Sequence, residues 1–226
     1  MMRFLLEMRL QHIYCRIGLG LVIVFFAFTV QAHPHSWVEM KTYIQGKDGM
    51  ITGFKMEWSF DPMTSAYMLD GEDMSPNHEQ ETLRKLAASV LGNMLYEHYF
   101  TYFYDGDMPI KYSVAHSEKL KRNRAKLVLS FELPLSKPTP VTRDSLRLLI
   151  MDPSYYIDMA WVSVSDIQLS DELSRQCKLT LVAPNPTPEQ VSYAMSLAVD
   201  EDPDYTLGQF FTQTVNFHCA SVPQAH

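Results

Sequence analysis

A deficit of basic charge, a scarcity of cysteine and the lack of any apolar run of membrane-spanning length exclude several protein classes at once. Lys and Arg number 19 against 26 Asp and Glu, a formal charge of −7. That balance argues against nucleic acid as a partner, because binding to phosphates rests on basic clusters. The uncharged apolar run from Ile17 to Val30 is 14 residues long, short of the roughly 20 that cross a bilayer core as a helix. No later segment is longer and equally apolar. A GxSxG elbow, an HExxH helix, a Walker loop and a Rossmann glycine pattern are all missing, so no standard catalytic signature is present. Internal repeats and low-complexity segments are missing too. An enzyme is therefore not the first expectation.

The N-terminus has the layout of a secretory signal. Arg3, Arg9 and Arg16 precede the apolar run, and Val30-Gln31-Ala32 follows it with the short side chains of a signal-peptidase site. Cleavage after Ala32 is expected, giving a signal peptide over 1–32 and a single periplasmic domain over 33–226. Cys15 lies before the apolar run, which argues against a lipoprotein anchor. Removing 1–32 takes away three arginines and one glutamate, leaving 16 basic and 25 acidic residues in 194, a charge of −9. Such a chain is long enough for a substantial core. It reads as soluble, secreted into a periplasm or its equivalent, and not itself transmembrane after processing.

Processing would leave two cysteines, Cys177 and Cys219. Lone thiols and thiolate metal ligands are competing readings, but an even count in an oxidising compartment reads as a disulfide.

The hydrophobic pattern is mostly of period two. Ser36 to Gln45 alternates, Gly46-Lys47-Asp48-Gly49 signals a turn, and Met50 to Phe60 alternates again, so a β-hairpin is expected. Asp61-Pro62 caps a short helix through Tyr67 and Leu69. Ser75-Pro76 opens a longer one whose Leu83, Leu86, Ala87, Val90, Leu91, Met94 and Leu95 share a face. Strands are expected over 99–104, 110–116, 125–133, 146–151, 161–169 and 178–182. The Thr187-to-Gln190 capping box starts a helix from Pro188 to Val199, and Gln209 to Cys219 forms a last strand. The Pro-rich stretch from Leu133 to Pro140 reads as a stiff loop. The class is α+β, with mainly antiparallel strands and two or three helices.

Histidine placement carries the chemistry. Cleavage after Ala32 would put the α-amine of His33, its imidazole and the imidazole of His35 within a few ångströms of one another. Three nitrogen donors suit Zn²⁺, with Ni²⁺ or Cu²⁺ as alternatives. A plain polar N-terminus is the simpler reading. His98, on the apolar face at the end of the long helix, is the internal histidine expected to point inward as a third side-chain ligand. His78 and His116 read as solvated, His218 as facing away from the disulfide, and His226 as a chain end. Asp61 and Asp152 open Asp-Pro turns, where capping explains them fully; each also follows an apolar strand and could meet the histidines at a sheet edge. The methionines are scattered without an MxxM cluster, which fits packing better than copper.

His33-Pro34-His35, Trp58-Ser59-Phe60-Asp61, Asp152-Pro153-Ser154-Tyr155-Tyr156 and Cys219 after Gly208-Gln209-Phe210 resemble a periplasmic domain-of-unknown-function family, that of the zinc-acquisition protein ZevA. The resemblance runs from His33 to about Cys219. Members are typically encoded beside a nickel/cobalt-type permease. The implication is a soluble accessory subunit that presents a transition metal, zinc foremost, to an inner-membrane nickel/cobalt/zinc-type permease. His33 and His35 carry over; Ser36 departs from the bulky residue frequent after the HPH. Two other readings remain: a copper enzyme resembling the histidine-brace monooxygenases, and a structural partner of a transporter that holds no metal.

Overall fold

The computed structural model describes residues 36–141, 145–154, 156–196 and 205–220. Contacts divide the chain into two compact units, Met1–His33 and Pro34–His226, and every described element belongs to the second. The expected signal segment, His33, His35, Tyr155, Val199 and His226 lie outside the described residues.

The expected hairpin forms β1 (Ser36–Lys47) and β2 (Met50–Phe60), paired antiparallel from Val38↔Phe60 to Lys47↔Met50. Along β1 the alternation is complete: Val38, Met40, Thr42 and Ile44 are buried, while Trp37, Glu39, Lys41 and Tyr43 face solvent. β2 changes phase at a bulge near Gly53, so Ile51 and then Phe54, Met56, Trp58 and Phe60 all reach the same core. Gly53 is required by close approach: a Cβ there would meet the Leu133 carbonyl oxygen and the Pro134 Cα at 2.8 Å.

The helices are α1 (Pro62–Met68) and α2 (Glu79–Met94), the second presenting Leu83, Ala87, Leu91 and Met94 to the core. A 3₁₀ turn over Leu95–Phe100 leads into β3 (Thr101–Asp105), which pairs with the two-residue β4 (Met108–Pro109). β5 (His116–Asn123) and β6 (Lys126–Pro140) form a second hairpin beside β2. β7 (Leu146–Ile150), β8 (Ile157–Ala160), β9 (Ile167–Leu169), α3 (Asp171–Ser174) and β10 (Cys177–Val182) follow. α4 (Pro188–Ser196), α5 (Tyr205–Phe210) and β11 (Thr214–Cys219) complete the described chain.

One sheet has the order β5-β6-β2-β1-β8, with β9 also on β1; the other has the order β10-β11-β7-β3-β4. Both are antiparallel except where β8 and β9 run parallel to β1. The fold is thus α+β, as the periodicity implies. The sheets share one apolar core, where Phe54 of the first meets Phe103 of the second edge-on at 5.2 Å, and Phe103 packs on Phe217 at 5.6 Å. Edge-to-face rings at this spacing add to plain area burial. Trp161 ties the sheets with polar contacts. Its indole N–H donates to Thr42 Oγ1 at 3.1 Å, and its backbone exchanges two hydrogen bonds with the Gln213 amide.

Several expected elements shift. The 110–116 segment, expected as a strand, is largely irregular, and only its last residue, His116, enters β5. The Pro-rich stretch is strand rather than loop: β6 runs on to Pro140 against β2. The strand expected over 161–169 is broken by a 3₁₀ turn at Val164–Asp166, where Ser163 and Asp166 form a capping box. Gln209 and Phe210 end α5 instead of starting the last strand.

The disulfide expectation holds. Cys177 and Cys219 stand directly opposite each other in the β10–β11 pair and are bonded. His218 is exposed, facing away from the bond as alternation requires.

Candidate functional site

The described chain begins at Ser36, one residue after His35, and its first residues are held on two sides. Ser36 and Trp37 pair in parallel with Ile157 and Asp158 of β8. On the other side the Trp37 N–H donates to Asp61 Oδ2 at 3.1 Å, and the Asp61 N–H donates back to the Trp37 carbonyl at 3.0 Å.

Asp61 is the cap of α1. Its Oδ1 accepts from the backbone N–H groups of Met63 (2.8 Å) and Thr64 (3.1 Å), and its Oδ2 also accepts from the Thr64 hydroxyl. Partial burial pushes this carboxyl up. The Thr64 hydroxyl and the N–H groups of Trp37, Thr64 and Met63 outweigh it and hold the group below its ordinary 3.8. A carboxylate with a depressed folded pKa stabilises above the unfolded value and loses that contribution as pH falls through the folded one. Asp61→Ala is expected to lower stability by roughly 1–2 kcal/mol at neutral pH, the usual worth of a helix cap. Denaturant midpoints measured from pH 7 downward should converge for variant and wild type below pH 3.8.

Asp152 fills the same kind of role at the neighbouring turn. Its carboxylate accepts from the Ser154 N–H and hydroxyl, the Tyr156 N–H at 3.1 Å and the Ile157 N–H at 3.0 Å. It is 7% exposed, and these donors satisfy a buried charge that would otherwise be costly. Asp152 thereby fixes the start of β8, the strand against which Ser36 pairs. Both Asp-Pro turns border the start of β1, Asp61 through its bonds with Trp37 and Asp152 through β8. Their carboxylates, however, are occupied by the protein's own donors.

His98 does not point inward. α2 ends at Met94, and His98, Tyr99 and Phe100 then take successive left-handed conformations with φ of 51°, 56° and 52°. The expectation extended the helix one turn too far. The reversal buries Tyr99, whose hydroxyl accepts from the Ala115 N–H, and leaves His98 exposed with its ring 6.3 Å from that of Tyr102. Such residues are strained, and the turn is held partly by the Met151 N–H donating to the Phe100 carbonyl at 2.9 Å. His78 pairs with Asp73, and His116 is exposed. Among the described residues no three His, Cys, Asp or Glu side chains gather as a metal site, so His98, Asp61 and Asp152 form no such centre between them.

A residue overlooked by sequence reasoning stands beside this strand start. Asp158 pairs with Trp37 and shares its solvent-facing side of the sheet. Burial pushes its carboxyl up from 3.8, and it has no hydrogen-bond or ion-pair partner among the described residues. Nothing in the local sequence distinguishes it from an ordinary solvated aspartate; only the parallel register reveals its neighbour. Trp37 in β1 and Met63 and Tyr67 in the helix that Asp61 caps are 46%, 64% and 82% exposed.

What fold and site define is an α+β domain of two packed sheets, the start of its first strand held between two Asp-Pro turns directly after a His-Pro-His sequence. The chain belongs to the family described as Protein of unknown function (DUF1007), whose pattern matches residues 18–219. It is 32% identical over 200 residues to an uncharacterized protein of Haemophilus influenzae, an alignment covering 87% of this chain and 95% of that protein. No helix among the described residues is long and apolar enough to cross a membrane.

Proposed function

We propose that this chain is a periplasmic accessory protein that binds a transition metal, zinc foremost, through the α-amine of His33 and the imidazoles of His33 and His35, and presents it to an inner-membrane nickel/cobalt/zinc-type permease. The carrying observation is the clamped start of β1 one residue after His35. A donor set joined to a fixed strand end loses less conformational freedom on chelation than one on a free tail, which favours binding. The family resemblance to ZevA supports zinc and the permease. The exposed Trp37, Met63 and Tyr67 offer such a partner apolar contact beside the metal. Export supplies the free amine, since only cleavage after Ala32 exposes His33 as a chain end.

Intact and native mass spectrometry of the protein recovered from a periplasmic extract is expected to give a mass starting at His33 and one Zn²⁺ per chain, with Ni²⁺ and Cu²⁺ competing. A mature mass beginning beyond His35, or no metal adduct with any of the three ions, would overturn the assignment.

A further inference from the structure

Both sheets end in strands that have a neighbour on one side only among the described residues. An open edge of this kind pairs with any strand that reaches it, and folded proteins blunt such edges with charge, proline or shortness. The first sheet is blunted on both sides. β5 carries Lys119, Lys121 and Arg122, and β8 and β9 are four and three residues long. In the second sheet β4 is two residues long and ends in Pro109. β10, at the other edge of that sheet, has none of these devices. It runs six residues without proline or glycine, and Lys178 is its one charge.

The hydrogen-bond phase of β10 fixes which of its backbone groups are open. The Ala220 N–H donates to the Gln176 carbonyl at 2.8 Å, and bonded and non-bonded pairs alternate along an antiparallel ladder. In the register from Cys177↔Cys219 to Val182↔Thr214, it is therefore Lys178, Thr180 and Val182 that bond to β11. The N–H and C=O groups of Leu179 and Leu181 point out from the sheet edge. Side chains alternate as well. Leu179 and Leu181 are half-buried against the core, and Lys178, Thr180 and Val182 are exposed on the opposite face.

We propose that two copies of this chain pair through β10, antiparallel about a two-fold axis at Thr180, so that their second sheets join into one. A two-fold interface uses the same patch on both copies and must be self-complementary. β10 meets that condition in this register. Leu179 stands opposite the partner's Leu181, so the open N–H and C=O groups of both exchange hydrogen bonds. The half-buried leucines then extend the apolar layer across the junction. Thr180 meets the partner's Thr180 in a non-bonded pair, with Cα atoms about 4.5 Å apart, and such threonine pairs are favourable across strands. Lys178 stands opposite the partner's Val182. In a chain of charge −7, most surfaces of two copies repel each other. β10 holds no acidic residue, and the two-fold keeps its lysines apart, so two copies meet there with no like charges opposed.

The test is light scattering of the oxidised protein from a periplasmic extract, over low to high micromolar concentration, with substitutions at the axis. Wild type is expected to reach twice the monomer mass as concentration rises. Thr180→Lys and Thr180→Glu each set like charges against each other on the axis and are expected to weaken dimerisation at least tenfold. Near-ultraviolet circular dichroism establishes that both remain folded. An equimolar mixture of the two is expected to restore the dimer, because opposite charges then meet. Thr180→Cys is expected to give a covalent dimer on a non-reducing gel. Lys178→Cys is expected to give none, because position 178 does not face itself. Wild type that stays monomeric throughout overturns the proposal. So does a dimer that Thr180→Lys leaves intact, or equal cross-linking by Thr180→Cys and Lys178→Cys.

Discussion

Replacing Cys177 and Cys219 together by serine is expected to destabilise the domain by about 4 kcal/mol and to lower its melting temperature by roughly 8–16 °C. The bond closes a loop of 42 residues, and in the chain-entropy account the cost of closing such a loop is removed from the unfolded ensemble rather than added to the native contacts. The loop encloses α4, which has no buried residue, and α5. α4 therefore contributes little burial of its own to offset the entropy of ordering it, whereas α5 buries Leu207. β10 is an edge strand joined to its sheet through β11 alone, and the disulfide sits at one end of that single ladder. Thiol labelling of unreduced, denatured wild type should find no free cysteine in the exported form. Thermal scans of oxidised wild type and the double variant check the magnitude. A shift below about 2 °C would mean that the two-strand ladder holds without its covalent closure.

The second large effect is on metal affinity. His33→Ala combined with His35→Ala is expected to reduce zinc affinity at least 100-fold in the processed protein, because two of the nitrogen donors leave with the imidazoles. Protons compete for the same lone pairs, so binding in wild type should weaken steeply as pH falls. An unperturbed imidazole titrates near ~6.5 and an α-amine near ~7.8, which puts the loss below roughly pH 6.5. One additional residue ahead of His33 should also weaken binding, since it turns a basic amine into a poorly donating amide. His98→Ala is expected to leave affinity unchanged, because its exposed ring lies on the left-handed turn against Tyr102. Calorimetry at pH 7.5 and 5.5 on the four proteins distinguishes these results. Wild-type affinity in the double variant would end the chain-end chelate.

The hairpin, the disulfide pair, the capped helices and the α+β class are all readable in the sequence because each is set by local physics. Alternation of period two over Ser36–Phe60 leaves only one face to bury, an Asp before a Pro supplies its own cap, and the two cysteines downstream of the N-terminal apolar run have one partner each. Where such local rules compete with long-range pairing, they lose. The prolines of 134–140 suggest a stiff loop, yet β2 offers that segment a neighbour, and a strand edge tolerates the missing N–H groups. Apolar spacing carries α2 on towards His98, but burial of Tyr99 reverses the chain there and turns the imidazole outward. The His-Pro-His sequence is visible by inspection, since the chelate proposed for it needs only three adjacent residues and the expected cleavage after Ala32. Asp158 is not visible, because its significance comes from a parallel pairing of strands about 120 residues apart in the chain. Sequence by itself determined the alternating faces, the caps and the candidate donors at the chain end. Only the tertiary structure decided which carboxylates are consumed as caps and which one stands unpartnered beside that end, because hydrogen-bond partners across a sheet edge are assigned by register and not by sequence distance.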